Sequence, residues 1–370
     1  MTSELNSLII IIIYGSLTIL SFLTLANPLK VNKKANFWFG IFTSLWATFW
    51  IEEIVQLVFI DTICDSLAMF VSFVQYFTPI IFYFSVLFFT NPNYKFKIHD
   101  LKYLFLPIIY LTVLIAQKYC YKEYSGTLTL ILSGLILVQT LLYTTLSYIK
   151  IRKHKKKIVL FASNIKGIDL CWLEYIIFIV LIISIVVSIY NIFFKLSALN
   201  LFMNSFFLIT VFFVSYYSMK QKEIFPLDEE DRNDIIAIND GEHLTEMRRK
   251  IIPDEELSTL KSQLNQLMQN QKPYLDSELN LIKLSQILNL TPHQLSYLIN
   301  YGFNENFFHF INRYRVEKAK ELLKAEKLNK YSILGIAYES GFNSKTSFNT
   351  TFKKMTNQTP SEFKKKSSDS

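Results

Sequence analysis

Seven long apolar runs occupy the first 220 residues of the chain, and they restrict its fold more than any other feature. Each run is close to the roughly 20 residues that a helix needs to cross the hydrocarbon core of a bilayer. They cover residues 5–26, 36–60, 66–90, 99–118, 126–149, 172–194 and 199–219. We therefore predict seven membrane-spanning helices. The first run lacks a basic leader and a small-residue cleavage site, which predicts a retained span rather than a signal peptide.

Cations are distributed unevenly among the loops that separate these runs. The loops after the first, third and fifth runs are basic, with the densest cluster at residues 150–157, and the other loops hold few cations. Basic loops stay on the cytoplasmic side, so this bias predicts an N-terminus outside and a C-terminus in the cytoplasm. An odd number of spans requires the same result. We interpret the cluster at 150–157 as an anchor beside anionic lipid rather than as a nucleic-acid site.

Formal charge divides the chain into three predicted regions. The net charge is +8 over residues 1–220, −5 over 221–272 and +5 over 273–370. We interpret these regions as a seven-helix transmembrane sensor domain, an acidic linker with an amphipathic helix, and a basic tail domain. A basic tail is typical of nucleic-acid binding but does not establish it.

The linker ends in a predicted helix with a leucine face, which begins after Pro253. Four leucines recur at spacings of three and four: Leu257, Leu260, Leu264 and Leu267. One interpretation is a homodimer seam through residues 255–270. The other is that the helix packs on its own tail domain. We favour the second, because two heptads are fewer than the three or four that indicate a coiled coil.

Near the C-terminus, the pattern predicts a helix, a tight turn and a second helix. Ile336 and Ala337 share one face of the first helix. Gly341 follows it, at a position where a left-handed residue is required. Asn343 or Ser344 is placed to cap the second helix through a side-chain oxygen.

The second of these helices has two distinct faces. Phe348 and Phe352 are four residues apart, so they share a buried face. The other face suits base edges and flanking phosphates, because it carries small polar groups and cations. That face comprises Lys345, Thr346, Asn349, Thr350 and Lys353.

A similar helix pair is predicted upstream, over residues 273–300. Four apolar residues give its first helix a buried face: Leu281, Leu284, Ile287 and Leu288. Thr291 is expected to cap the second helix, with Pro292 at its first position. Leu295 and Leu298 are expected to face inward. Five side chains are then expected to face outward: His293, Gln294, Ser296, Tyr297 and Asn300.

The tail resembles the DNA-binding domain of the arabinose-regulator (AraC/XylS) family of bacterial transcription factors. The family pattern of Ile, Ile-Ala and Gly-Phe is matched by Ile333, Ile336-Ala337 and Gly341-Phe342. An aromatic residue, a Phe-Lys-Lys ending at Lys354 and a Thr-Pro ending at Pro360 follow. The resemblance covers about the last hundred residues and implies two helix-turn-helix motifs that bind promoter DNA.

The resemblance also implies that the outward side chains of both second helices bind DNA. A helix over 306–323 would join the two motifs and hold the recognition helices about 34 Å apart, one turn of DNA. On that helix, Arg313, Arg315 and Lys318 have two interpretations. They contact phosphate, or they are solvated or paired with Glu317 and Glu321.

The chain departs from the family pattern at three positions. Asn304 and Asn357 stand where the family usually has glycine after each recognition helix. Asn tolerates the left-handed conformation, so we expect both turns to be kept. Thr350 occupies a position where arginine or another long polar side chain is frequent, which favours base readout by Lys345 and Thr346.

Two features of the apolar region are candidates for function. Glu52 and Glu53, with Gln56 one turn on, either form an acidic pocket for a cation, amine or peptide, or lie at the membrane interface. Cys64 and Cys120 both fall on the predicted outer side, where either a disulfide or two free thiols is compatible with the sequence. No Cys or His spacing indicates a metal site, and no motif indicates a cofactor.

Together these patterns predict an all-α protein with a seven-helix transmembrane bundle, a linker and a bipartite helix-turn-helix domain. The predicted function is a transcription regulator in the bacterial cytoplasmic membrane. Its predicted partners are double-stranded promoter DNA, the lipid bilayer and an unknown signal ligand, with RNA polymerase a further candidate. The alternative is a membrane receptor whose helical tail binds a protein. We expect no enzymatic activity, because no phosphate-binding glycine loop, hydrolytic constellation or kinase motif is present.

Overall fold

The computed structural model describes residues 2–59, 63–119, 125–193, 199–225, 230, 232–235, 251–324 and 332–368. Within these ranges the regular elements are helices, together with one isolated β-bridge between Ala162 and Asn280. The chain forms two compact units, which we call the apolar unit (Met1–Lys153 with Leu170–Ile224) and the tail unit (His154–Asp169 with Phe225–Ser370). The prediction of an all-α chain is confirmed for the described residues.

The apolar unit contains nine helices among its described residues. They are α1 (Thr2–Ala26), α2 (Lys33–Ala47), α3 (Ile51–Phe59), α4 (Asp65–Tyr76), α5 (Thr78–Thr90), α6 (Phe105–Tyr119), α7 (Ser125–Ile158), α8 (Cys171–Phe193) and α9 (Leu199–Met219). A short 3-10 turn, Thr48–Trp50, joins α2 to α3. The last residues of α7, from His154 on, belong to the tail unit.

Six helical stretches among the described residues are long and apolar enough to cross a membrane. They are Ser3–Ala26, Lys33–Phe59, Asp65–Thr90, Ile98–Tyr119, Gly126–Ile158 and Leu201–Met219. Six of the seven predicted spans are therefore confirmed in length and composition. The run predicted at 172–194 corresponds to α8. Its stretch Cys171–Ile182 is apolar but shorter than a span. The seventh span stays a prediction.

Close packing of α1 against α2 depends on a glycine. A Cβ added at Gly40 would lie 2.6 Å from Leu25 Cγ and 2.9 Å from Thr24 Oγ1. The Ser21 hydroxyl donates to the Gly40 carbonyl oxygen at 2.9 Å. The missing side chain at Gly40 therefore allows α1 and α2 to approach closely.

The tail unit contains seven helices among its described residues. They are α10 (Asp254–Asn270), α11 (Leu281–Ile287), α12 (Pro292–Tyr297), α13 (Phe307–Lys324), α14 (Ile333–Glu339), α15 (Lys345–Thr356) and α16 (Pro360–Ser368). A π-helical turn, Leu298–Gly302, continues α12. The acidic stretch predicted at 228–234 lies mostly outside the described residues.

The core of the C-terminal helices forms around α13. Its Ala319 is fully buried, as are Ala337 of α14 and Phe348 and Phe352 of α15. The same cluster includes Ile336, which is 2% exposed. The buried faces predicted for both helices of this pair are therefore confirmed. Burial of two phenylalanine side chains contributes roughly 3–6 kcal/mol to stability before entropy is counted.

The leucine face of α10 packs within its own chain. Leu260, Leu264 and Leu267 are each less than 10% exposed, and α10 contacts the π-helical turn. The Tyr314 hydroxyl of α13 donates to Asn265 Oδ1 at 2.9 Å. This confirms the interpretation that α10 packs on its own tail domain. Three of the four leucines predicted for a homodimer seam through 255–270 are already buried within the chain, and Leu257 is half-buried, so they do not support a seam.

Residues 154–169, which comprise the end of α7 and most of its connection to α8, fold as part of the tail unit. We call this stretch the joining segment. Its main chain is bonded at two places: the Leu281 amide donates to the Phe161 carbonyl at 2.9 Å, and the Phe308 amide donates to the Val159 carbonyl at 3.0 Å. The joining segment therefore reaches both the start of α11 and the start of α13.

The side chain of Arg315 is the centre of these contacts and is 1% exposed. Its guanidinium donates to the carbonyl oxygens of Tyr274 (2.7 Å), Asp276 (2.8 Å) and Ser163 (3.3 Å). It also donates to Ser163 Oγ at 3.0 Å and to Asn312 Oδ1 at 3.4 Å. The fixed fork of arginine satisfies all these acceptors at once, which a lysine ammonium would not.

Gly341 shows why the turn between α14 and α15 needs glycine. Its φ is +85°, as predicted for a residue after a helix C-terminus. A Cβ there would collide with the carbonyl oxygen of Tyr274 and lie 2.9 Å from Leu275 Cα. Both obstacles are backbone atoms, so they cannot move aside as a side chain would.

Replacing Gly341 with alanine should therefore lower the local free energy of unfolding of α13–α15 by about 2 kcal/mol or more, from left-handed strain and collision together. Hydrogen exchange of these helices in the full-length chain measures it. Gly302→Ala is the matched control, because a Cβ at Gly302 lies 3.3 Å from the flexible Lys261 side chain. Equal effects of the two substitutions would contradict the account.

Candidate nucleic-acid interface

The second helix pair, α14 and α15, presents the face that the sequence predicted. Ser344 rather than Asn343 caps α15, because its Oγ accepts from the Ser347 amide at 3.2 Å. Asn357 ends the helix with a φ of 59°, and its main-chain N–H donates a hydrogen bond to the Lys353 carbonyl at 2.8 Å. Asn304 has a φ of 55°. Asparagine thus adopts the left-handed conformation at both positions where the family usually has glycine, as expected.

Five side chains lie along the outer side of α15. Lys345, Thr346, Thr350 and Lys353 are exposed, and Asn349 is half-buried. They occupy positions i, i+1, i+4, i+5 and i+8, which fall on one side of a helix. The Asn349 Oδ1 atom is shielded from solvent and has no hydrogen-bond partner among the described residues. The surface therefore offers two cations, two hydroxyls and an amide, which are groups that recognise phosphates and base edges.

The first helix pair, α11 and α12, is capped as predicted. The Gln294 amide donates to Thr291 Oγ1 at 3.2 Å, and the Thr291 amide donates to Gln294 Oε1 at 3.0 Å. This reciprocal capping box satisfies two donors at the start of α12. It also occupies the carboxamide oxygen of Gln294, which was predicted to contact a base. The Gln294 Nε2 group is then the part of the side chain suited to an acceptor on DNA.

Two of the predicted outward residues of α12 face inward instead. Ser296 is 2% exposed and Tyr297 is 1% exposed, so the prediction that they face outward is wrong. Ser296 Oγ accepts from Asn300 Nδ2 at 3.2 Å, and the Tyr297 ring stacks on Tyr301 with centroids 5.2 Å apart.

Ser296 and Tyr297 are buried because α12 and the turn after it have more than one packing neighbour. The sequence pattern assumed one buried face, set by Leu295 and Leu298. In the structure α11 packs against α12 and α10 packs against the π-helical turn that follows, so the helix is covered on more than one side. His293, Gln294 and Asn300 remain half-buried, and Tyr301 is 58% exposed. Sequence reasoning missed Tyr301, whose only signal was an aromatic residue just after the helix.

The cations of α13 are mostly engaged within the protein. Arg315 is buried, and the cost of desolvating its guanidinium lowers its pKa to about 10, partly offset by Asp276 and Glu278. It stays protonated at neutral pH but cannot reach phosphate. Lys318 pairs with Glu321 at 3.0 Å, as one interpretation proposed. Arg313 pairs with Glu305 at 3.0 Å.

The remaining candidates lie in the apolar unit. Glu52 and Glu53 are in the first turn of α3, and both they and Gln56 are exposed on the surface of this unit. This exposure favours the interfacial interpretation over an enclosed acidic pocket. Cys64 is exposed, whereas Cys120 lies outside the described residues, so their disulfide stays a prediction. Within the described residues, no group of three or more His, Cys, Asp or Glu side chains is placed to hold a metal ion.

Comparison with known proteins places a helix-turn-helix domain at residues 284–366. This range matches the family described as "Helix-turn-helix domain", of the AraC type. A stretch of 102 residues, 27% of this chain, is 31% identical to an uncharacterized HTH-type transcriptional regulator of Staphylococcus aureus (strain COL). The match spans 13% of that protein's length. No solved structure matches the chain. The two matches support a DNA-binding regulator.

A phosphate contact by Lys353 predicts a specific change in salt dependence. Lys353→Ala should weaken binding to every duplex alike and reduce the slope of log K against log salt by about one. Anisotropy titrations of the full-length chain in nanodiscs, at several salt concentrations, measure both. The matched control is Lys320→Ala, because Lys320 is paired with Glu317 at 2.7 Å and should contribute little. A loss confined to one sequence would argue against the phosphate role.

Proposed function

We propose that this chain is a membrane-integral transcription regulator that binds promoter DNA through both helix pairs of its tail unit. The observation that carries the proposal is the outer face of α15. It places Lys345, Thr346, Asn349 and Thr350 on one side of a helix whose other side is anchored by Phe348 and Phe352. The match of residues 284–366 to a helix-turn-helix domain supports the same function.

The membrane part of the proposal rests on length, composition and charge. Six helical stretches have the length and apolar composition of membrane spans, and α8 would supply the seventh. Many side chains on their outer surfaces are apolar and exposed, such as Phe22 (68%), Leu130 (74%) and Phe202 (69%). Exposed apolar surface of this kind is costly in water and favourable in hydrocarbon. The bias of cations toward alternate loops then leaves the tail in the cytoplasm.

In this proposal, α12 and α15 are the recognition helices, and each enters one segment of the major groove. The helix α13, which lies between the two helix pairs, has 18 residues, so it is about 27 Å long. In this proposal, α15 inserts Lys345 and Thr346 toward base edges. The first pair contributes Gln294 and His293 from α12, together with Asn300 and Tyr301 in the turn that continues it. Reading two major-groove segments on one side of a duplex requires a rigid spacer of this kind.

Selection from a random duplex pool tests the function with the full-length chain in nanodiscs. We expect enrichment of one sequence motif and a steep loss of binding as salt rises. Lys345→Ala with Thr346→Ala should lower affinity for that motif at least about tenfold, because base contacts contribute roughly 1–3 kcal/mol each. Binding to duplexes without the motif should remain.

The matched control for this pair is Lys365→Ala with Ser361→Ala, which removes an exposed cation and an exposed hydroxyl from α16. This control should keep the motif. If the wild-type chain enriches no duplex, the DNA-binding proposal fails and the receptor alternative, a tail that binds a protein, takes its place. If the α15 variant keeps the motif unchanged, the assignment of base readout to Lys345 and Thr346 is wrong.

A further inference from the structure

The apolar unit contains a partly open cavity of about 570 Å³. This is within the range of roughly 300–1,000 Å³ that is typical of small-molecule sites. Its walls are strongly aromatic, and the rings that shape it are Trp46, Trp50, Phe82, Tyr76, Tyr110 and Phe207. Tyr76 and Tyr110 stack with centroids 4.0 Å apart, and Trp50 meets Phe207 edge-on at 5.2 Å. Such walls favour a flat ring over a flexible chain.

Every lining residue of the cavity is uncharged. Glu52 and Glu53 are not among them, so the cavity is distinct from the acidic pair that the sequence singled out. A charged ligand here would lose its hydration without meeting an opposite charge, at a cost of several kcal/mol. The cavity therefore selects uncharged molecules.

One buried acceptor in the cavity wall has no partner. Gln139 of α7 is 1% exposed, and its Nε2 group donates to the Tyr76 carbonyl. Its Oε1 atom is buried and accepts no hydrogen bond. A buried acceptor left unpaired costs roughly 1–3 kcal/mol. A ligand that brought a donor to this oxygen would recover that cost.

The donors around the cavity are, in contrast, largely used by the protein. Seven lining side chains already donate to protein acceptors: Trp50, Gln75, Tyr76, Thr78, Gln139, Thr144 and Asn204. Among the described residues, the lining donors without a protein partner are the Trp46 indole and the hydroxyls of Ser72, Tyr110 and Thr140, and a hydroxyl can also accept. The Gln139 oxygen is the one described lining atom that is buried, unpaired and able only to accept. A complementary ligand carries a hydrogen-bond donor rather than only acceptors.

We propose that this cavity binds an uncharged aromatic molecule, of one or two fused rings, that carries a hydroxyl or N–H group. The ring stacks among Trp46, Trp50 and Tyr110, and the donor bonds to Gln139 Oε1. The ligand class follows from three properties of the wall: aromatic surface, absence of charge and one unpaired acceptor. Binding at this site does not depend on what the tail unit recognises.

Three matched probes test the ligand class with the full-length chain in nanodiscs, measured by calorimetry against empty nanodiscs. They are naphthol, its methyl ether and naphthoate. We expect saturable binding of naphthol, at least about tenfold weaker binding of the ether because the donor is lost, and no binding of the charged naphthoate. Equal binding of naphthol and its ether, or binding of naphthoate, would overturn the proposal.

Variants on α7 locate the site. Gln139→Leu should remove the preference for naphthol over its ether, and Thr140→Phe should fill the cavity and abolish binding of both. Leu137→Phe is the matched control, because Leu137 is 44% exposed and does not line the cavity. If Thr140→Phe does not fold, Ser72→Phe fills the cavity from α4. Naphthol binding that survives the cavity-filling substitution would place the site elsewhere and refute the assignment.

A second observation concerns the chain that connects the two helices on one side of the cavity. Ile136 and Gln139 of α7 line it, as do Ile176 and Ile177 of α8. From α7 to α8 the chain runs through the joining segment, whose Ser163 is bonded to Arg315 and whose Val159 carbonyl accepts from the Phe308 amide. A change in α7 and α8 on ligand binding has a route along the main chain to the joining segment, and from there through hydrogen bonds to α11 and α13.

We infer that the joining segment transmits occupancy of the cavity to α13, the helix that holds the two recognition helices. This coupling rests on the proposed function for its biological meaning, but its test does not need DNA. Hydrogen exchange at the Leu281 and Phe308 amides reports directly on the two main-chain bonds to the joining segment. Naphthol should change exchange at both amides by at least about threefold, a shift in local stability of roughly 0.6 kcal/mol.

Phe161→Ala with Ser163→Ala should loosen the joining segment and remove this response while leaving naphthol affinity unchanged. Lys166→Ala is the control, because Lys166 is exposed in the same segment. A naphthol-dependent change that persists in the double variant, or that is absent from the wild type while naphthol binds, would overturn the coupling. DNA titrations on the same samples then test the proposed DNA binding separately from the coupling. A wild-type chain that shows the exchange response but binds no DNA keeps the coupling and loses the proposed function.

Discussion

A single buried guanidinium organises the tail unit. Taking a charge out of water is tolerated only when its donors are satisfied, and Arg315 of α13 is satisfied almost entirely by oxygens from elsewhere in the chain. The carbonyls of Tyr274 and Asp276 lie just before α11, and Ser163 belongs to the joining segment. The bonds of Arg315 therefore hold α13 against the stretch before α11 and against the joining segment. Because α14 and α15 pack on the same helix, the orientation of the candidate recognition face depends on this buried charge.

Much of the fold was predictable because its signals are local. Apolar run length indicated seven spans, and six of them have that length and composition among the described residues. The caps at Thr291 and Gly341 followed from side-chain oxygens and backbone conformation. The joining segment was not predictable, because the residues that hold it, such as Leu281, Phe308 and Arg315, are more than 100 positions away in the sequence. Arg313 and Arg315 are equally plausible phosphate ligands in sequence, and only packing shows that one is buried. The burial of Tyr297 likewise depends on helices that pack around α12, which its own sequence pattern does not show.

The apolar unit shows the same limit. Charge inside an apolar run is the strongest sequence indication of a signal site, and it points to Glu52 and Glu53. The structure places both on the exterior and instead contains an uncharged, aromatic cavity. Gln139, an amide in the middle of the fifth run, was the sequence signal for that site, since polar groups in spans usually face the bundle interior. Its position on α7 connects the cavity, through the chain itself, to the joining segment and to α13.

The central claim is that one chain is held in a membrane and reads DNA at the same time. Crosslinking of intact cells, isolation of the membrane fraction and sequencing of the DNA bound to this chain measure that claim directly. The account predicts discrete sites that share a sequence motif and that disappear when Lys345 and Thr346 are replaced by alanine. Enrichment that is the same for this variant, or bound DNA recovered only with chain outside the membrane fraction, would contradict it.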